Sequence, residues 1–335
     1  MKQRLRWLDC AKGIGMICVI IGHIGISQFG AILYAFHLPL FFVLAGYSFY
    51  PTNISFRSFV LKKTKRMLIP YFSLGGVLVG YYMLRRFLLF GERDIGVYWG
   101  LIRDLFLQRR FLSIWFIAAL FISLLIFYLI NRMTGSRFVA TVLVSAAAGI
   151  IGFVYTLNNG EPLYWNLDIA VEALLFLSMG YAIKGTHLIE KICLWTTKKR
   201  VIVALFCGAV TVVFSMKNYQ LTAQQFDFFQ GTIGIWYLAL VAAISGVMCV
   251  MIISTLLRSK LLEYIGRESM VFLALHQSVF VTGLIEISET FGILNADVLP
   301  VRILRLVFVF VITVAGCSAV DMLLSKTKAK ACIGK

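Results

Sequence analysis

The sequence predicts an all-α, polytopic membrane protein, a helical bundle of about ten transmembrane helices. Of its 335 residues, 60% are hydrophobic and only 14% are charged, and the mean hydropathy is +0.89. This composition leaves too little polar surface for a water-soluble domain. Apolar runs of about 17 to 25 residues are long enough to cross a bilayer as helices. We therefore expect a single integral-membrane domain over residues 1–335.

Ten apolar runs meet that length and are predicted as spans in chain order. Their approximate limits are 7–27, 31–50, 68–85, 111–131, 138–156, 166–184, 201–216, 233–256, 264–287 and 301–324. Only a short polar stretch separates the fourth from the fifth, and His276 and Gln277 interrupt the ninth. Nine or eleven spans are therefore the alternatives to ten.

Basic residues predict the orientation, because short cytoplasmic loops accumulate Lys and Arg. A cytoplasmic N-terminus places most of the 32 basic residues in tails and inner loops. The exception is the outer loop between the third and fourth spans, with Arg103, Arg109 and Arg110. We interpret part of it as an interfacial helix that meets lipid headgroups. The net charge of +17 is then mainly an orientation signal and does not indicate nucleic-acid binding. The expected location is a cell membrane, bacterial inner or plasma membrane, with multiple passes.

The first span contains three ionisable residues, Asp9, Lys12 and His23. Each costs roughly 2.5 to 3.5 kcal/mol at bilayer depth, so their presence predicts a functional site. Lys12 and His23 are eleven positions apart, which places them within about 20° on one helix face and about 16 Å apart along the axis. Asp9 lies one turn before Lys12 and is expected to pair with it. The simpler alternative is that the two charges only neutralise each other near the interface.

Further polar side chains are predicted in the outer half of the bilayer. His23 lies about 6 Å, His37 about 9 Å, Trp115 about 6 Å and Glu172 about 9 Å from the outer ends of their spans. Consecutive spans joined by a short loop pack as antiparallel neighbours, so His23 and His37 are expected to face each other. Any one of these residues alone could equally be a helix-packing contact.

His276 lies near mid-depth of the ninth span, where it either lines the same site or packs against Gln277 or a neighbouring helix. Pro39 follows His37 by two residues and predicts a kink in the second span, because proline cannot donate a backbone hydrogen bond. The cysteine and histidine positions show no metal-ligand spacing, and we expect no metal site.

Several of these residues belong to longer motifs spread over nearly the whole chain. They are Leu8-Asp9-Cys10-Ala11-Lys12-Gly13-Ile14-Gly15 with Gly22-His23, Phe36-His37-Leu38-Pro39-Leu40-Phe41-Phe42, Gly46-Tyr47, Lys63-Thr64-Lys65-Arg66, Ile114-Trp115-Phe116, and Ile265-Gly266-Arg267-Glu268-Ser269 before His276. Together they resemble the integral-membrane acyltransferase 3 family, whose members include O-acetyltransferases of bacterial surface polysaccharides. The family often has Arg where this chain has Lys12, and Lys lacks the planar fork of Arg. Lys at this position resembles the fucose O-acetylase-like branch.

The resemblance implies a membrane O-acyltransferase that uses acetyl-CoA or another acyl-CoA as co-substrate, with no permanently bound cofactor. The phosphates of the acyl-CoA would meet Lys63 and Arg66 at the cytoplasmic end of the site, with Lys12 deeper in the membrane. The acceptor would be a hydroxyl of a cell-surface polysaccharide or of a lipid-linked glycan. His23 would act as general base or as transient acyl carrier, since an imidazole titrates near neutrality.

The remaining candidates are given supporting roles. His37 or Glu172 would orient the base or receive protons, and Trp115 offers a flat face for a sugar, with Tyr47 as a second acceptor-binding residue. Two other function classes stay open. An ion-coupled secondary transporter of a small solute also uses intramembrane ionisable residues, and a scaffold for a polysaccharide-synthesis complex would not need them.

Overall fold

The computed structural model of the protein describes residues 5–25, 27–50, 54–158, 160–292 and 298–335. These residues form fifteen α-helices and no β-strand, with one isolated antiparallel bridge between Asp227 and Thr232. Ten helical segments among them are long and apolar enough to cross a membrane. The predicted all-α bundle and the predicted number of spans are therefore confirmed.

The helices are bounded as follows. They are α1 (Arg6–Ile24), α2 (Ser27–Tyr47), α3 (Phe56–Lys63), α4 (Ile69–Phe90), α5 (Ile95–Leu107), α6 (Trp115–Met133), α7 (Phe138–Leu157), α8 (Leu167–Gly185), α9 (Leu188–Cys193), α10 (Thr197–Thr222), α11 (Trp236–Leu256), α12 (Lys260–Arg267), α13 (Ser269–Leu275), α14 (Thr282–Thr290) and α15 (Leu299–Ser325). Most spans lie within a few residues of their predicted limits. The predicted first span, 7–27, passes through Ile26, which lies outside the described residues.

The third span differs most from its prediction. A continuous helical segment runs over Phe56–Phe90, 35 residues, whereas the apolar run predicted 68–85. Its first turns, in α3, carry the basic residues Arg57, Lys62 and Lys63, so hydropathy does not detect them. A π-helical turn, Thr64–Leu68, joins α3 to α4. Pro70 explains that wider turn, because its ring would clash with the carbonyl four residues earlier in a regular helix.

The helix predicted in the loop between the third and fourth spans is present as α5. The Asp94 carboxylate caps it by accepting a hydrogen bond from the Gly96 N–H at 2.7 Å. Large apolar side chains such as Trp99 are exposed on α5. A helix at this position is thus confirmed, and its contact with lipid headgroups stays a prediction.

Contacts divide the chain into two compact units. Unit 1 consists of the described parts of Met1–Asn53, Ser123–Glu161 and Leu167–Ser269, and unit 2 of Ile54–Ile122, Pro162–Asn166 and the described parts of Met270–Lys335. Both units are assembled from segments distant in sequence. A single domain over residues 1–335 stays a prediction.

Small residues bring the helices of unit 1 into backbone contact. An added methyl group at Gly46 would overlap the carbonyl of Leu177, and one at Gly180 would overlap that of Val43. Helices α2 and α8 therefore touch through glycines on both sides, the kind of close approach that small residues permit between membrane helices. This contact holds α2, which carries His37, against α8.

Helices α1 and α12 make a similar contact. A methyl group at Gly13 would overlap the carbonyl of Leu262, and one at Gly266 would overlap that of Asp9. The Arg6 guanidinium also bridges to α12, with its Nη2 2.7 Å from Glu263 Oε1. The turn of α1 that carries Asp9 and Lys12 is thus fixed by backbone packing.

Candidate active site

A tyrosine lies between the two histidines predicted to face each other in unit 1. The Tyr34 hydroxyl oxygen is 3.3 Å from His23 Nδ1. The Tyr34 ring packs edge-to-face with both imidazoles, with ring centroids 5.9 Å from His23 and 4.9 Å from His37. His23 is half-buried, whereas His37 is 2% exposed. The structure therefore brings His23, Tyr34 and His37 together, and we call these three residues the histidine cluster.

Local sequence explains this arrangement. Tyr34 precedes His37 by three residues on α2, so the two side chains share one helix face. Gly25, with φ of 85°, ends α1 in the left-handed conformation that favours glycine. Gly22 leaves space for the tyrosine, since an added Cβ there would lie 3.1 Å from Tyr34 Cε2. The antiparallel packing of α1 and α2 then places His23 beside Tyr34.

Hydrogen bonds define the protonation of one imidazole. His37 Nδ1 is 2.7 Å from the carbonyl oxygen of Leu33. A carbonyl only accepts, so Nδ1 carries the proton, and in the neutral ring Nε2 is the acceptor. For His23, either Tyr34 donates to Nδ1 or Nδ1 donates to the tyrosine oxygen. The second arrangement leaves His23 Nε2 with the lone pair that a base requires.

A buried aspartate in the loop between α10 and α11 lies near the histidine cluster. The Asp227 carboxylate accepts a hydrogen bond from the Phe229 N–H at 2.8 Å, and the flanking Phe226 and Phe228 are buried. The ring of Phe228 lies 5.6 Å from that of Phe42 on α2. Asp227 also interacts electrostatically with Tyr34. The sequence analysis did not single out Asp227, because acidic residues are common in outer loops. Its two phenylalanine neighbours are the signal that indicates burial.

Glu172 is buried in the contact between α7 and α8. Thr156 donates a hydrogen bond from its hydroxyl to Glu172 Oε2 at 2.9 Å. Gly152, one turn before Thr156, lets the two backbones approach, because an added methyl group would overlap the Glu172 amide. The structure thus gives Glu172 a partner in helix packing, and its proposed part in proton transfer stays a prediction.

Lys12 and His23 lie on one stripe of the continuous helix α1. Lys12 and His23 are each half-buried. Between them on the same stripe, Met16 and Val19 are 0% and 4% exposed. The middle of the stripe is therefore packed inside the protein, while both of its ends are partly accessible. Asp9 is also buried, and its pairing with Lys12 stays a prediction.

Tyr47 lies at the end of α2 away from the histidine cluster. It is ten residues from His37, about 15 Å of helical rise. Its hydroxyl donates to Glu190 Oε1 at 3.1 Å, and its ring packs against Trp7 with centroids 4.9 Å apart. The Lys184 ammonium lies 5.8 Å from the centroid of the same ring. The structure therefore does not place Tyr47 beside His23 and His37.

In unit 2, the basic motif Lys63-Thr64-Lys65-Arg66 overlaps the first π-helical turn of the third span. Lys63 ends α3, and Arg66 lies inside Thr64–Leu68. Lys63 is half-buried, with its Nζ 5.5 Å from the Phe59 ring centroid, and Arg66 is exposed. Short π-helical turns are rare and frequently mark functional sites. Both residues are accessible enough to bind an anion, and this role stays a prediction.

A second π-helical turn, His276–Val281, starts at the histidine predicted in the ninth span. His276 is buried, and its Nδ1 donates to the Phe272 carbonyl at 2.9 Å. The π-helical turn replaces the backbone hydrogen bonds of a regular α-helix by bonds that span one more residue. Just before it, the Ser113 hydroxyl donates a hydrogen bond to the Ala274 carbonyl. These bonds favour a packing role for His276.

Trp115, at the start of α6, is 7% exposed. Its main-chain carbonyl accepts a hydrogen bond from the Asn166 side-chain amide at 3.1 Å. The indole ring is therefore largely covered, so the predicted sugar-stacking role would require it to become accessible. That role stays a prediction.

No three histidine, cysteine or carboxylate side chains lie close enough together to hold a metal ion in the described parts of the chain.

Comparison with curated proteins and with solved structures gives no match. The model of the acyltransferase 3 family, described as an acyltransferase domain, matches residues 5–322. The match spans segments of both units and includes every candidate residue described above. It favours an acyltransferase over the transporter and scaffold alternatives. The chain thus belongs to the acyltransferase 3 family and is a multi-pass membrane acyltransferase.

Proposed function

We propose that this protein transfers an acyl group, most simply acetyl, from cytoplasmic acyl-CoA to a carbohydrate hydroxyl, as in the fucose O-acetylase-like branch. The acceptor is a cell-surface polysaccharide or its lipid-linked precursor. The histidine cluster is the observation that carries this proposal. It combines a partly accessible imidazole, a hydroxyl that orients it and a buried second imidazole on two adjacent spans.

In the proposed reaction, His23 Nε2 takes the proton of the acceptor hydroxyl while that oxygen attacks the thioester carbonyl carbon. The carbon–sulfur bond then breaks, and the imidazolium returns the proton to the leaving thiolate. Tyr34 orients the base by accepting the Nδ1–H, and His37 stands behind Tyr34 as a second proton acceptor. If His23 instead carries the acyl group transiently, the same nitrogen attacks the thioester carbonyl carbon and the CoA thiolate leaves. The acceptor hydroxyl then attacks the acyl carbon, which breaks the bond to the imidazole, and its proton passes to the thiolate.

The donor phosphates are assigned to basic residues on the predicted cytoplasmic side. Lys12 is partly accessible at the start of the α1 stripe, and Lys63 and Arg66 keep the role that the family resemblance implied. Ammonium and guanidinium groups bind phosphate through charge-assisted hydrogen bonds. Tyr47 lies with Lys184 at the same predicted side, where it could contact the donor; its acceptor-binding role stays a prediction.

A direct assay tests this proposal. Purified protein in nanodiscs is incubated with [¹⁴C]acetyl-CoA and fractions of surface polysaccharide or lipid-linked glycan. We expect ¹⁴C to appear on the glycan as a base-labile ester, together with stoichiometric release of free CoA. Release of CoA without any labelled ester on the glycan fractions would contradict a carbohydrate acceptor, and no CoA release would contradict the donor.

The proposed orientation of His23 predicts the effect of Tyr34→Phe. This change keeps the ring against both imidazoles and removes the oxygen that accepts from Nδ1. We expect kcat to fall about tenfold, in line with the loss of one hydrogen bond, with an unchanged KM for the donor and a shifted pH–rate profile. Tyr219→Phe, a half-buried tyrosine on α10, is the matched control. An unshifted pH profile with full kcat in Tyr34→Phe would show that the hydroxyl does not orient the base.

A further inference from the structure

A basic pocket in unit 2 is not used by the mechanism above. It has a volume of about 420 Å³ and is lined by Arg103, Asp104, Leu107, Arg109, Arg110, Phe111 and Tyr164. That volume lies within the range of about 300–1,000 Å³ found for small-molecule sites. Three guanidinium groups and one carboxylate give the pocket a net positive charge. We call it the arginine pocket.

Two of the three arginine side chains are held in defined positions. Arg109 Nε donates a hydrogen bond to the Pro162 carbonyl at 2.8 Å, and its guanidinium carbon lies 5.0 Å from the Tyr164 ring centroid. Arg103 Nη2 pairs with Asp104 Oδ1 at 3.0 Å, which neutralises one of the three cations. The formal charges of the lining, three arginines and one aspartate, sum to +2.

The backbone of the pocket is also fixed in an uncommon conformation. Gln108, Arg110 and Leu112 have φ of 45°, 54° and 51°, and Trp165 and Asn166 have φ of 57° and 52°. Non-glycine residues rarely adopt this left-handed region, and such strain concentrates at ligand-binding and catalytic sites.

Buried side-chain amides hold this strained backbone. The Asn166 side-chain oxygen accepts from the Arg110 N–H at 2.8 Å, and the Gln108 side-chain oxygen accepts from the Phe111 N–H at 2.7 Å. Both Gln108 and Asn166 are fully buried. The pocket is therefore preformed by a buried hydrogen-bonded framework.

Each of the two segments that form the pocket comes after an odd number of candidate spans, so both lie on the side of the membrane opposite to the N-terminus. Residues 103–111 follow the third span, and Tyr164 comes after the fifth. The predicted cytoplasmic N-terminus places both segments on the outer side, where a surface glycan is available.

We propose that the arginine pocket binds the anionic group of the acceptor glycan, a phosphate or carboxylate carried next to a sugar ring. This inference rests on the proposed function and names the acceptor class more closely. Arg109 and Arg110 bind the anion, and the aromatic rings of Tyr164 and Phe111 offer apolar faces to the sugar. Tyr164 is 55% exposed and so can meet a sugar directly. A lipid headgroup offers the same phosphate without a sugar ring, and the test separates the two sources.

The test is equilibrium dialysis of the full-length protein in phosphatidylcholine nanodiscs with ¹⁴C-labelled glucose 1-phosphate, glucuronate or glucose. We expect both anionic sugars to bind more tightly than glucose. The double variant Arg109→Gln, Arg110→Gln should lose at least about tenfold in affinity for them. Arg93→Gln removes an exposed arginine of the same loop outside the pocket and is the matched control. Equal affinity in the wild type and the double variant overturns the proposal.

A second variant guards against misfolding and separates glycan from lipid. Tyr164→Ala should weaken glucose 1-phosphate binding several-fold, and by more than it weakens inorganic phosphate binding. Equal binding of glucose 1-phosphate and inorganic phosphate, with displacement of both by phosphatidylglycerol in the nanodisc, would identify a lipid-headgroup site and overturn the proposal.

The His23→Ala variant should bind the probes normally, because His23 does not line the pocket. Normal probe binding in a wild-type protein that transfers no acyl group would refute the proposed function and not the pocket.

Discussion

Replacing His23 by alanine is expected to lower acyl transfer by about 10²- to 10⁴-fold, the range over which a positioned general base accelerates a reaction. The change removes Nε2, the atom that takes the hydroxyl proton or carries the acyl group, whereas Lys12 and the basic residues at the donor end remain. The KM for acyl-CoA should therefore change little. The rate is measured as [¹⁴C]acetyl ester formed on the acceptor glycan.

The matched control for His23→Ala is His187→Asn. His187 is exposed between α8 and α9 with φ of 55°, a backbone conformation that asparagine tolerates. We expect full activity in this control and the same melting temperature in both variants. Wild-type turnover in a correctly inserted His23→Ala protein would exclude His23 as base or acyl carrier.

Lys12→Met is expected to weaken acyl-CoA binding by about 10- to 100-fold, because a hydrogen bond to a charged phosphate is lost. Lys12→Arg keeps the positive charge and should retain much of the affinity, although its planar group is larger. The dissociation constant is measured with a non-hydrolysable acyl-CoA thioether, so that binding is separated from turnover.

Lys217→Met makes the same substitution at an exposed lysine on α10 and should leave donor binding unchanged. Unchanged affinity in Lys12→Met as well would mean that Lys12 only neutralises Asp9 within the membrane. The double variant Asp9→Asn, Lys12→Met would then be as stable as the wild type, because neither charge is left buried alone.

The amino-acid sequence was sufficient to predict the helical architecture but not all of its limits. Long apolar runs are the strongest local signal for a membrane helix. The signal fails at α3, where basic residues precede the apolar run while the helix itself continues through Thr64–Leu68. The π-helical turn at Thr64–Leu68 is followed by Pro70, whereas the one at His276–Val281 has no recognisable sequence pattern, since it depends on local packing and hydrogen bonding.

Part of the candidate site was also predictable. His23 and His37 stand out because imidazoles are rare in apolar spans, and the short loop between them predicted their proximity. Tyr34 was missed because tyrosines near span ends are common at membrane interfaces, although its spacing of three residues from His37 places both on one face. Asp227 and the arginine pocket depend on contacts between segments far apart in sequence, which periodicity does not reveal.

The most direct test concerns transfer across the membrane from the Lys12 end to the His23 end of α1. Uniformly oriented proteoliposomes receive [¹⁴C]acetyl-CoA only on the side of the N-terminus and acceptor glycan only on the other side. We predict labelled ester on the glycan with the wild-type protein and none with His23→Ala. Labelling that occurs only when donor and acceptor share one side would contradict transfer across the membrane.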